Sequence, residues 1–164
     1  MLLRDAAPGV AWVAAARLHL TLKFLGELPE QQAAAVIASV DDVAQRHRVL
    51  TMQLGGVGAF PNFRRPRVVW MGVTPDPRLE LLHHDVEVAC ERLGFAVDGR
   101  PFRPHLTLAR AQERESAGAM RGLARVGKRV TFEAKTWVES VDVMQSVLGA
   151  EARYESVHAA RLRA

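Results

Sequence analysis

Leu18-His19-Leu20-Thr21-Leu22 and Pro104-His105-Leu106-Thr107-Leu108 repeat one H-L-T-L core at two distant places in the chain. Each copy sets a histidine and a threonine two residues apart in an apolar stretch, the alternation of a β-strand. Successive side chains on a strand turn to opposite faces. A strand over about 17–25 therefore puts Leu18, Leu20, Leu22 and Phe24 on one face and His19, Thr21 and Lys23 on the other. The second copy, about 104–109, sets Leu106 and Leu108 against His105 and Thr107. Two residues along a strand span roughly 6.5–7 Å, so an imidazole and a hydroxyl at that spacing both reach one small anion. Two such strands facing each other surround the anion with two titratable rings and two hydroxyl donors.

That set of groups suits a cyclic phosphate on a ribose. Hydrolysis needs a base for the attacking water and an acid for the departing ribose oxygen, on opposite sides of phosphorus if displacement is in line. Histidine, with an ordinary pKa of about 6.5, serves either role near neutral pH. Thr21 and Thr107 would donate to the non-bridging oxygens, where negative charge builds up. The scheme requires no metal and no cofactor. A single H-x-T has little meaning, because chance supplies it often and a lone strand histidine usually serves one structural hydrogen bond. Two copies inside the same tetrapeptide favour the catalytic reading.

The rest of the composition frames this site. With 164 residues, 49% of them hydrophobic and 24% charged, the chain fits one globular domain with a real core. A net charge of +4 favours an anionic partner such as RNA or a nucleotide. Cys90 is the single cysteine, so no internal disulfide forms and a reducing cytoplasm is expected. Its place among Ala89 and Leu93 on a helix reads as a buried structural thiol rather than a nucleophile. No apolar run is long enough to span a bilayer. Met1-Leu2-Leu3-Arg4-Asp5 lacks the layout of a signal peptide. A monomer without membrane attachment is expected.

Strands and helices alternate along the chain. Pro29 opens a helix to about position 47, and Asp76, Pro77 and Gly94 mark the cap, first turn and stop of a helix over 77–93. Extended stretches are predicted at 49–57 and 67–73, with a long glycine-rich loop over 55–66 between them. A third helix is predicted within 113–125, and strands near 129–135, 137–146 and 152–159. One strand motif recurs rather than a solenoid repeat, so a two-lobed, pseudo-symmetric domain is expected.

At this point the residues resemble a known family. The paired motifs are similar to those of the two-histidine phosphoesterases, in the branch of RNA 2',3'-cyclic phosphodiesterases, also called 2'-5' RNA ligase-like proteins. His19 through Glu27 and Arg103 through Arg110 match the two signatures, and the stretches Phe60-Pro61 to Trp70 and Ser146 to Glu155 are also similar. The resemblance spans roughly residues 8–163. It implies an α+β fold of antiparallel sheets with flanking helices, two-lobed, with one H-x-T-x motif from each lobe facing a central cleft. It implies conversion of RNA 2',3'-cyclic phosphate ends to 2'-phosphomonoesters without metal, His19 acting as proton donor and His105 as proton acceptor. The two motifs are too alike for the residues themselves to assign those roles. Family members usually carry a strand and most of a helix before the segment matching Ala11-Trp12-Val13, whereas only Met1 to Val10 precede it here. A shortened N-terminus is therefore expected, leaving a sheet edge or a gap in one lobe. The same site suits two alternatives: reversible 2'-5' ligation, with a ribose hydroxyl in place of water, and an RNA- or nucleotide-binding module without turnover.

Further residues have two readings each. Lys23 adds positive potential to the site or is a solvated strand lysine. Arg110, on the alternate face from His105 in a regular strand, reaches phosphate through a twist or lies in solvent. Phe60, Phe63, Arg64, Arg65 and Arg67 interleave rings and cations in a pattern suited to stacked bases and backbone phosphates, though Phe60 or Phe63 equally plugs a loop into the core. Trp70 reads as core. His83 and His84, adjacent on a helix, point apart and make poor joint metal ligands. His47 and His158 have no obvious partner in the sequence. No P-loop, dinucleotide fingerprint, HExxH or G-x-S-x-G occurs.

Overall fold

Strand β4 (His105–Arg110), which carries the second motif, is flanked on both edges by other strands. The computed structural model describes residues 3–6, 10–63, 66–110, 132–147 and 153–164. The helix expected within 113–125, and Arg64 and Arg65, lie outside these residues. After a short α1 (Leu3–Ala6), the described elements are β1 (Ala11–Trp12), α2 (Glu30–Ala44), β2 (Leu50–Phe60), β3 (Val68–Val73), α3 (Pro77–Arg92), β4, β5 (Glu133–Val138), β6 (Ser140–Val147) and β7 (Arg153–Arg161). Five strands form one sheet in the order β1-β4-β3-β2-β5, and β6 and β7 form a second, antiparallel pair. The α+β class expected from the sequence holds.

The chain packs as two compact units. The first holds the described residues of 1–21, 53–74 and 104–135, which include most of the five-stranded sheet. One face of that sheet is the core: Val10, Val69 and Ala109 are buried, with Trp12, Val57 and Leu108 packed on them. The second unit takes the described residues of 22–52, 75–103 and 136–164. There α2 packs on α3 and on the β6–β7 pair, burying Val36, Val40 and Val43 from α2, Leu79, Leu82 and Val86 from α3, and Val141 and Ala160 from the strands.

The helix ends follow their local chemistry. The Asp76 carboxylate accepts from Arg78 N at 2.8 Å, a cap of about 1 kcal/mol, and Pro77 follows in the first turn. At the other end Gly94 takes φ +90. Its N–H donates to Glu91 O and that of Phe95 to Cys90 O, the double closure of a Schellman motif. Helix α2 ends at Ala44, about three residues before the sequence limit.

Two strand expectations change. The glycine-rich stretch 55–60 is strand rather than loop: β2 runs on to Phe60, with Gly56 at φ +68 forming a bulge between Gly55 and Val57. Glycine weakens a strand locally, but here it admits close neighbours; a Cβ on Gly55 would stand 3.3 Å from Phe132 O. The predicted strand over 17–25 shortens to almost nothing. Ala15–Arg17 forms a 3-10 turn, and the segment then meets β4 through one antiparallel bridge, Leu20 to Leu106. Phe24, expected on the apolar face, is 72% exposed.

Candidate active site

The Leu20–Leu106 bridge sets the positions of the four motif side chains. One step to either side, antiparallel register puts His19 across from Thr107 and Thr21 across from His105. In that register the two histidines and two threonines would share the face opposite Leu20 and Leu106. Directly opposed residues have Cβ atoms about 4.5–5.5 Å apart and diagonal ones about 7–8 Å. Ideal register would make the two imidazoles the diagonal pair and the threonines the opposite diagonal. All four residues belong to the first unit.

The other edge of β4 continues the same face. Gly72 of β3 pairs with His105 and Trp70 with Thr107; Gly58 and Phe60 of β2 pair with Trp70 and Val68. Between Val69 and Trp70 the register shifts, leaving Leu108 as the extra residue of a bulge in β4. The bulge changes the face on which Arg110 lies. A regular strand would turn Arg110 away from His105. With one extra residue inserted, Arg110 pairs with Val68 and so joins the face of Trp70, Gly72 and His105, where it is exposed.

The ring nitrogens of His19 are not equivalent. Nδ1 lies 2.9 Å from Arg17 O. A carbonyl only accepts, so Nδ1 carries the proton and Nε2 is the atom that exchanges one. The 3-10 turn places that carbonyl two residues before the histidine. His105 is half-buried among aromatic rings: Phe60 stands edge-on at 5.4 Å and 77°, and Trp70 at 6.2 Å and 60°. Phe60 thus lies on the site face beside the second histidine. Phe63 is half-buried in the turn after β2. Arg67 is exposed, its backbone N–H donating to Phe60 O at 2.7 Å.

Lys23 is not the solvated strand lysine of its second reading. It belongs to the second unit, where its ammonium is buried against the Glu87 carboxylate at 2.7 Å and donates to Ala96 O at 2.8 Å. Glu87 thus pairs its charge within that unit. Three further histidines have structural partners in the same unit. His47 Nε2 meets Asp85 at 2.9 Å and His158 Nε2 meets Asp41 at 2.8 Å. His83 stacks on Phe102 at 3.8 Å, and burial pushes its pKa below the ordinary 6.5. Cys90 is buried, and that burial raises its thiol pKa, the behaviour of an inert thiol. Among the described residues no group of three or more His, Cys, Asp or Glu is arranged to hold a metal ion, and no helix is long and apolar enough to cross a membrane.

Trp70 is the residue that sequence reasoning misplaced. It is half-buried on the site face, not in the core. The available signal was Gly58, whose missing side chain leaves room for a large cross-strand ring.

Known proteins share this arrangement of chain. The sequence model of the 2'-5' RNA ligase superfamily matches residues 3–150. A Geobacillus stearothermophilus protein named RNA 2',3'-cyclic phosphodiesterase is 38% identical over 109 residues, which are 66% of this chain and 35% of that one. A protein of the same name from Archaeoglobus fulgidus is 38% identical over 65% of this chain and 58% of its own length. Another, from Aeropyrum pernix, is 34% identical over 79% of this chain and 73% of its own. The match thus spans only 35% and 58% of the first two relatives' lengths. Among solved structures, TT0787 of Thermus thermophilus superposes with a TM-score of 0.78 at 28% identity, covering 98% of this chain and 90% of that one. Escherichia coli LigT complexed with 3'-AMP superposes at 0.71 with 26% identity, covering 98% and 91%.

Proposed function

The chain belongs to the 2'-5' RNA ligase superfamily, and from that premise we propose that it hydrolyses terminal 2',3'-cyclic phosphates of RNA to 2'-phosphomonoesters. The relatives that share its sequence carry the name of that activity. The observation that carries the reading furthest is the single bridge between Leu20 and Leu106, which supports a set of two imidazoles and two hydroxyls on one sheet face.

In this reading a phosphate lies between the diagonal imidazoles. His105 takes a proton from water as the water oxygen bonds to phosphorus. The bond from phosphorus to the ribose 3'-oxygen breaks, and His19 Nε2 delivers a proton to that oxygen. Thr21, Thr107 and Arg110 bind the non-bridging oxygens, where charge accumulates. Both proton transfers are served by side chains, so no step calls for a metal. The Nδ1–H bond from His19 to Arg17 O orients Nε2 for proton exchange in either direction, and the donor role follows the family resemblance. Phe60, Phe63 and Arg67 would contact the flanking nucleotide. The protein would act as a monomer in the cytoplasm on RNA or oligonucleotides with cyclic ends. Reversible 2'-5' joining is the second reading, favoured by the family's description; a ribose hydroxyl then takes the place of water.

The test offers 2',3'-cyclic nucleotides and cyclic-ended oligonucleotides in the presence of EDTA and identifies the product isomer by phosphorus NMR. A 2'-phosphomonoester is expected. Exclusive 3'-product, or loss of turnover in EDTA, would overturn the proposal. Joined RNA as the main product would favour the ligase, and RNA affinity without turnover from about pH 5 to 8 would favour a binding module.

A further inference from the structure

We propose that Trp70, seated on Gly58, is a positioning residue that holds the His105 imidazole in its working rotamer; the inference rests on the hydrolase reading above. The sheet pairs that place these residues are Gly58 with Trp70, Trp70 with Thr107, and Gly72 with His105. A Cβ built on Gly58 would fall among Cζ2, Cη2 and Cε2 of the indole. The ring therefore leans across the strand pair and fills the place of the side chain that Gly58 lacks. Gly72, directly across from His105, offers no side chain either, and a Cβ there would stand 2.7 Å from Gly55 O. On β3 the wall beside the imidazole thus comes from the diagonal residue, Trp70.

The three rings form a closed set. Phe60 and Trp70 lie 5.3 Å apart at 32°, and each presents itself to His105 in an edge-type arrangement, at 5.4 and 6.2 Å. Such distances are those of favourable aromatic pairs. A strand histidine ordinarily samples two χ1 wells, and a swing between them carries Nε2 out of hydrogen-bond reach of a bound phosphate. Two ring walls restrict that swing. The indole N–H gains nothing in return, since Nε1 is buried with no acceptor, a cost a phenyl ring would avoid. The position uses the breadth of the indole, not its polar atom.

The experiment compares Trp70→Ala, Trp70→Phe, Gly58→Ala and the double variant Gly58→Ala/Trp70→Ala, each checked for folding by circular dichroism. Two readouts are taken: kcat and KM on a 2',3'-cyclic nucleotide, and the three-bond couplings that report χ1 of His105. Trp70→Ala should lower kcat about 10–100-fold with little change in KM, and average the His105 couplings. Trp70→Phe should lie between. Gly58→Ala, which expels the ring, should resemble Trp70→Ala, and the double variant should be no worse than Trp70→Ala alone. If Trp70→Ala does not fold, Trp70→Leu, which keeps apolar volume without a ring wall, takes its place. A single unchanged His105 rotamer in these variants, or a rise in KM alone, would overturn the inference; the latter would make Trp70 a base platform. The coupling measurement needs no turnover, so failure of the hydrolase reading remains separable from failure of this one.

Discussion

The two H-L-T-L segments share a tetrapeptide and differ in nearly everything around it. The second copy is strand, bonded along β3 on one edge up to a bulge at its last residue, Leu108. The first follows a 3-10 turn and touches β4 through one bridge, at Leu20. The residues downstream differ as well. The bulge at Leu108 puts Arg110 on the face of Trp70 and His105, whereas after the first copy Lys23 is buried against Glu87 in the other unit. Identical words are thus read by different neighbours: pairing supplies the geometry of one motif, and a single rung plus anchors on either side supplies that of the other.

The most severe test of this comparison is removal of the rings themselves. His19→Ala and His105→Ala should each lower turnover by about 10²–10⁴-fold, with circular dichroism unchanged. A large difference between the two would show that the unequal backbones carry unequal chemistry. Next come the flanking cations. Lys23→Met leaves Glu87 buried without its partner and should cost about 3–5 kcal/mol in urea unfolding. Arg110→Ala, at an exposed position, should leave stability nearly unchanged and lower kcat/KM by about 10²-fold. The reverse pattern would sink the assignment of one cation to structure and the other to the site.

The bridge residues give a finer measure. Leu106 is 6% exposed and Leu20 half-buried. Leu106→Ala should therefore cost about 2–5 kcal/mol, and Leu20→Ala distinctly less, because lost stability follows the apolar area removed from water. Equal losses would show that the first segment is as firmly packed as the second. The smallest effect concerns His83, outside both motifs. Burial lowers its folded pKa below 6.5, so the unfolded chain takes up the proton first as pH falls. Its contribution is full above about 6.5 and is lost as pH drops below that value. The urea midpoint of the wild type should fall more between pH 7.5 and 5.5 than that of His83→Phe. Equal falls would show that His83 does not carry the acid sensitivity.

Much of this was legible before any coordinates. The caps of α3 at Asp76 and Gly94 follow from local backbone chemistry, and the structure has both. The α+β class followed from the motif resemblance. Reading failed where a residue's role depends on a distant one. Gly58 to Phe60 looks like a loop because glycine weakens a strand, yet Trp70 crowds Gly58 and the Phe132 carbonyl crowds Gly55, which gives those two glycines a place in one. Lys23 looks like a cleft cation because Glu87, far along the chain, is invisible to local pattern.

Composition and order alone determined that two histidine–threonine pairs exist, that each alternates with leucine, and that Cys90 sits on an apolar helix stripe. These are properties of neighbours within a few residues, where backbone geometry is nearly universal. Only the tertiary structure decided that Leu20 meets Leu106, that a one-residue bulge rotates Arg110 onto the histidine face, and that Trp70 rests on Gly58 beside His105. Register between strands is a matter of which surfaces fit when buried together, and a shift of one residue reverses every side chain it governs.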